Sequence, residues 1–178
     1  METTQLYIEL IIIGLEGFIW MCTFLVDIIG NKAISVLTNI IGNFSSSLLL
    51  IGILYVIGIL IDRFADIIFQ KKENAIRNKS GLQAKSSILV WKKYDAEKYA
   101  EYSRTRVRIL RASILNLPMI SISFILYVIR CLDKFYMLVI YILILGILFT
   151  YVSWKSYNLS LIRYYDKACA LEASEKAK

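Results

Sequence analysis

The sequence contains no histidine, a single proline and three cysteines among 178 residues. Without histidine there is no Ser-His-Asp or Cys-His catalysis, no zinc site built on imidazole, and no side chain that titrates near neutrality unaided. Chemistry would fall to carboxylates, lysine or tyrosine alone, so the chain is not expected to be an enzyme. Cys22, Cys131 and Cys169 show no paired spacing, and two of them sit in or beside apolar runs. They read as small hydrophobes rather than a disulfide framework or metal site, and no cofactor is expected. Charge is missing over long stretches as well. Ala33–Ile61 runs 29 residues without a charged side chain, and Ala112–Ile129 and Phe135–Trp154 are two further uncharged runs. About 20 apolar residues are enough to cross a hydrocarbon core as a helix.

What is present fits those absences. The chain is 58% hydrophobic with a mean hydropathy of +0.60 and a net charge of +7. The block Lys71–Arg111 alone holds 12 Lys/Arg against 4 Asp/Glu, so the rest is close to neutral. In a soluble chain such a block suggests nucleic acid; beside apolar spans it reads first as anchoring to anionic lipid. The N-terminus lacks the cationic region and small-residue cleavage site of a signal peptide, so Met1–Ile29 is expected to stay as a helix.

Periodicity and punctuation predict an all-α integral membrane protein of one domain, with apolar helices over residues 4–29, 44–69, 112–129 and 135–154. Residues 71–111 form the basic segment and 155–178 a tail. Gly30-Asn31 is a stop signal for the first helix, and Ala33–Ile41 reads as a short interfacial helix ended by Gly42-Asn43. Ser45–Ser47 supply a cap region for the second helix. A loop is expected around Lys79–Gly81, then a charged, tyrosine-rich helix from about Lys85 that enters the third apolar region before Pro118. Trp20, Trp91, Trp154, Tyr136 and Tyr151 suit interfacial anchoring. Lys and Arg resist translocation, which makes the basic block and both termini cytoplasmic if there are four spans. A variant in which the first or third segment lies along the interface, or packs as a cytoplasmic core helix, stays open.

Three polar patterns stand out against this background. Glu9, Glu16 and Asp27 are 7 and 11 residues apart and project within about 20° of one line on a helix, with Thr23 and Gln5 nearby. A carboxylate facing lipid is costly, so the stripe must meet water or a partner. It reads either as the cation-attracting wall of a pore built from several copies, or as a set of pairing sites for the protein's own arginines. Asp62, Arg63 and Asp66 form a second cluster, best read as ion pairs. Their expected partners lie on the face that carries Glu97, Glu101, Arg104, Arg108 and Arg111 at 4,3,4,3 spacing. A competing reading puts Arg104, Arg106, Arg108 and Arg111 on phosphates, with Tyr94, Tyr99 and Tyr102 stacking on bases. Gly52 and Gly58 permit close helix approach, a weak signal at their spacing.

The stretch Arg111-Ala-Ser-Ile-Leu-Asn116 is similar to a degraded HEPN ribonuclease signature, an Arg, then four to six residues, then His, with Asn116 in the histidine's place. Together with the basic helical block, the apolar segments and the length, it resembles the small membrane accessory proteins of type VI-B CRISPR systems. That resemblance implies a homo-oligomeric pore in the bacterial inner membrane that strengthens antiviral defence after an RNA-guided ribonuclease recognises viral RNA. It also implies that Arg111 and Asn116 are structural, since the histidine is missing. The alternative is a membrane-tethered scaffold that recruits RNA, a ribonuclease or anionic lipid without forming a pore.

Overall fold

The computed structural model describes residues 2–30, 32, 34, 35, 38, 44–80, 91, 97–131 and 136–176. Four long helices dominate: α1 (Glu2–Ile29), α2 (Phe44–Lys79), α3 (Glu97–Cys131) and α4 (Tyr136–Lys176). Each contains a stretch long and apolar enough to cross a membrane, and no strand occurs among the described residues. The all-α membrane architecture read from hydropathy is the architecture found.

The helices run further than the apolar runs. α2 continues through Asp62–Lys79, α3 joins the end of the basic block to the third apolar region, and α4 carries the fourth run into the tail. Neither Asp62–Lys79 nor Lys155–Lys176 contains Gly or Pro, and strong helix formers fill both. α1 stops at Gly30, whose φ of 80° and N–H bond to the Val26 carbonyl (2.8 Å) close the helix in the left-handed conformation that glycine adopts without strain. α2 ends where the Ser80 N–H turns back to the carbonyls of Ile76 and Arg77. Most of the interfacial helix expected at Ala33–Ile41, Gly81 of the loop, and all but Trp91 of residues 85–96 lie outside the described residues. So do the side chains of Ser45–Ser47. Pro118 does not end α3. It is carried inside the helix, where its missing N–H leaves the Ile114 carbonyl without its usual helical donor.

α1 and α3 lie parallel, with Glu9 beside Arg108 and Asp27 beside Arg130. α4 returns antiparallel along α3, placing Gly146 against Ser121 and Tyr164 against Arg104. α1 crosses α2 backbone to backbone: Gly14 faces the Leu54 carbonyl and the Gly58 amide, while Gly58 faces the Leu10 carbonyl and the Gly14 amide. Only a residue without Cβ fits on either side. Gly58 therefore has its close neighbour across the helix pair, whereas Gly52 faces open space.

One apolar cluster joins Ala65, Phe69, Ile114, Tyr157 and Leu161, where α2, α3 and α4 meet around the ends of their charge-free runs. A second cluster puts Trp91 and Tyr164 on Ala100 and Ala168. Trp91 is thus a core residue, stacked on Tyr99 and Tyr164 at 5.6 and 5.2 Å between ring centroids, and not an interfacial anchor. Trp20 is also turned inward, donating to Asn116, while Tyr136, Tyr151 and Trp154 are exposed. Outside these clusters the charge-free runs show large apolar side chains outward, such as Leu48, Leu49, Met137 and Ile147. That inversion of the soluble pattern is what lipid as the surrounding solvent allows.

Gly14→Leu or Gly58→Leu is expected to force α1 and α2 apart and lower stability by about 1–3 kcal/mol. Thermal unfolding in detergent measures this, and Gly52→Leu should leave the midpoint unchanged.

Candidate functional site

Asp62, Asp66 and Glu73 recur at 4 and 7 residues on α2, which places all three on one helix face within about 40°. α3 presents Arg111 to that face, immediately before its charge-free run begins at Ala112. The Arg111 side chain is only 8% exposed. Its Nη1 reaches Asp66 Oδ1 at 2.7 Å and Glu73 Oε1 at 3.1 Å, and its Nη2 reaches Asp62 Oδ1 at 3.0 Å. One planar fork thus holds three carboxylates, an arrangement a lysine ammonium does not reproduce.

The network extends from that centre to every helix. Arg108, nearly one turn earlier on α3, spans Glu9 Oε2 of α1 at 3.4 Å and Asp62 Oδ2 at 3.7 Å. The hydroxyl of the fully buried Tyr157, on α4, donates to Glu73 Oε1 at 3.0 Å. Lys72 caps the outer edge, its ammonium 3.1 Å from the centre of the Trp154 ring. The layer lies where the charge-free runs stop, at Ile61, Ala112 and Trp154. A cleft of about 270 Å³ opens beside it, with Arg77, Arg104, Arg108 and Arg111 in its wall.

A polar seam leaves this layer between α1 and α3. Ser113 Oγ donates to Glu16 at 2.8 Å, and Asn116 Nδ2 donates to Glu16 Oε2 at 3.2 Å and to the Ile13 carbonyl at 3.4 Å. Asn116 Oδ1 in turn accepts from Trp20 Nε1 at 3.3 Å. At the far end Arg130 Nη1 donates to the Asp27 backbone carbonyl, and the buried Asp27 carboxylate meets no hydrogen-bond donor among the described residues. The acidic stripe of α1 therefore lies against α3 of the same chain. Thr23, placed beside it by spacing, bonds its own helix at the Ile19 carbonyl, 2.8 Å away.

The other residues singled out by pattern are distributed unevenly. Arg63 is exposed and makes no ion pair among the described residues, so Asp62 and Asp66 are neutralised from α3 and not from beside them. Arg104 donates twice to the Tyr164 hydroxyl, at 3.3 and 3.2 Å. Glu101 is half-buried, and the Glu97 side chain and Tyr94 lie outside the described residues. Arg111 and Asn116 do not form one site: five residues apart they stand about 140° apart on α3, and one turns to α2 while the other turns to α1. Of the proposed nucleic-acid face, Arg108 and Arg111 are engaged by carboxylates and Tyr99 by Trp91, while Arg106 and Tyr102 are exposed. Glu73, Ser113 and Tyr157 are members that sequence reasoning missed. The repeat from Asp62 through Asp66 to Glu73 was available as a signal for the first; the other two are ordinary residues until α1 and α2 pack on them.

Among the described residues no group of acids or cysteines is placed to hold a metal ion. No family model, curated protein or solved structure matches the chain.

Removing one partner of a buried ion network leaves the others uncompensated, at a cost of about 3–5 kcal/mol. Arg111→Met is expected to destabilise the protein by that order in detergent unfolding, and Arg111→Lys by less. Combining Arg111→Met with Asp62→Asn and Glu73→Gln should recover part of the loss, because the stranded charges go with the arginine.

Proposed function

We propose that the protein is a multi-pass membrane effector that passes cations when copies of it assemble, with the α1–α3 seam as the path. The observation that supports this reading is the seam itself: Glu9, Glu16 and Asp27 succeed one another along α1 between layers that face lipid. Glu16 matters most. It lies well inside the apolar stretch, and its contacts are Ser113 and Asn116, neutral donors rather than an arginine. A carboxylate held by hydroxyl and amide groups has no fixed cation to displace and can meet a passing one, as the charged rings of channels do. Arg108 plugs the Glu9 end of the path and Arg130 the Asp27 end, so the single chain corresponds to a closed state. Opening requires α1 to turn away from α3, and a second copy supplies the surface that replaces it.

In this reading the basic end of the bundle and both termini are cytoplasmic, because Lys and Arg resist translocation. Passage of cations dissipates the membrane potential, in line with the resemblance to accessory proteins of RNA-guided antiviral defence. An RNA-guided ribonuclease or its RNA is then the activating partner, and no catalysis by this chain is required. The scaffold alternative draws its support from the exposed Arg104, Arg106 and Tyr102.

The test is conductance of the purified protein in planar bilayers. Cation current is expected, with Glu16→Gln lowering both the current and its preference for cations. Unaltered conductance in Glu16→Gln removes Glu16 from the path, and a strictly monomeric protein in mild detergent removes the assembled pore.

A further inference from the structure

The cleft beside the charged layer is lined by guanidinium groups that the ion pairs do not all engage. Four guanidinium groups line it, from Arg77, Arg104, Arg108 and Arg111, against the two carboxylates of Asp66 and Glu73. Both of those carboxylates are already bound to Arg111. Arg77 and Arg104 have no carboxylate partner among the described residues. Arg104 instead donates to the Tyr164 hydroxyl, which leaves that hydroxyl's own proton free to donate into the cleft. Two forked donors without a carboxylate partner suit the oxygens of a phosphate group.

A second cavity, of about 540 Å³, begins nearly one turn beyond the first on α3, at Ile114, and lies between α3 and α4. Its walls are apolar: Pro118, Ile122 and Ile125 from α3, with Leu143, Ile147 and Trp154 from α4. The register links the two. On α3 the cleft uses positions 104, 107, 108 and 111 and the groove uses 114, 118, 121, 122 and 125, one stripe at helical spacing. On α4 the groove's 143, 147, 150 and 154 likewise lead into the cleft's 161 and 165. The change from basic to apolar falls at Arg111, where the charge-free run of α3 begins.

We infer that this composite site holds an anionic phospholipid, its phosphate in the arginine cleft and an acyl chain in the α3–α4 groove. A basic pocket between membrane helices at the end of the apolar zone is the setting in which head groups of this charge are held. A soluble phosphate would use the cleft but not the groove, and a neutral lipid the groove but not the arginines that lack a carboxylate partner. The site rests on the membrane reading of the four helices and needs neither assembly nor conductance.

The experiment is native mass spectrometry of the full chain in mild detergent, titrated with dioleoyl phosphatidic acid, dioleoyl phosphatidylcholine, glycerol 3-phosphate or inorganic phosphate. Phosphatidic acid is expected to be retained and the other three to be lost at equal concentration. Arg77→Gln and Arg104→Gln remove charge without stranding a carboxylate, and each should weaken retention by about tenfold, the loss of one charge-assisted contact. Thermal unfolding of both variants in lipid-free detergent should match the parent, which separates lost binding from lost fold. Equal retention of phosphatidic acid and phosphatidylcholine, equal binding of inorganic phosphate, or retention unchanged in both variants overturns the proposal. So does an RNA oligonucleotide that displaces phosphatidic acid from these arginines at lower concentration than the lipid itself. Because no current is measured, failure of the conductance experiment leaves this result standing.

Discussion

A guanidinium group withdrawn from water needs its charge answered, and Arg111 meets that need by drawing three carboxylates from one face of α2 to its two Nη atoms, while its buried Nε meets no acceptor among the described residues. That demand sets the register of the bundle. α2 has to offer Asp62 at the depth where α3 offers Arg111, and α4 has to bring Tyr157 to Glu73. Arg108 carries the same requirement to Glu9 of α1. Four apolar helices in lipid have little reason to prefer one sliding position over another, since their outer faces suit lipid at any height. The charged layer removes that freedom, and it lies where one end of each charge-free run falls, at Ile61, Ala112 and Trp154.

The two ends of this molecule are stabilised by different physics. At the level of the layer, Ala65, Phe69, Ile114, Tyr157 and Leu161 form a dry core of the kind a soluble bundle has. Within the apolar zone the helices are held by close backbone approach at Gly14 and Gly58, and by hydrogen bonds from Ser113 and Asn116 to Glu16. Few large side chains are buried there, and none need be, because transfer between lipid and protein interior yields little hydrophobic gain.

Much of this was legible in the sequence for a physical reason: lipid imposes long uncharged runs, and those are visible without knowing any contact. The one-sided stripe of Glu9, Glu16 and Asp27 was equally plain, since a helix in lipid must collect its acids on one face. What the stripe faces was not legible, because a carboxylate in lipid is answered as well by a neighbouring helix as by a second copy. The length of the second helix was missed at Gln70–Lys79, where polar sequence suggested a change of structure although nothing in it breaks a helix. The crossing at Gly14 and Gly58 was hidden because its two glycines belong to different helices, so no spacing within either one announces it. Trp91 misled for a related reason: a tryptophan near an apolar run suits the interface, and only tertiary packing with Tyr99 and Tyr164 withdraws it.

α3 and α4, at 35 and 41 residues, measure about 52 and 62 Å against a hydrocarbon thickness of about 30 Å. Neither is interrupted where the charge-free run gives way to the polar part, so each is one stiff rod with a wet end and an oily end. A torque applied to the wet end, by a protein or nucleic acid that never touches the bilayer, arrives undiminished at the apolar half. Pro118 is the only point on α3 where a backbone hydrogen bond is missing by construction, and it is there that such a rod would first yield.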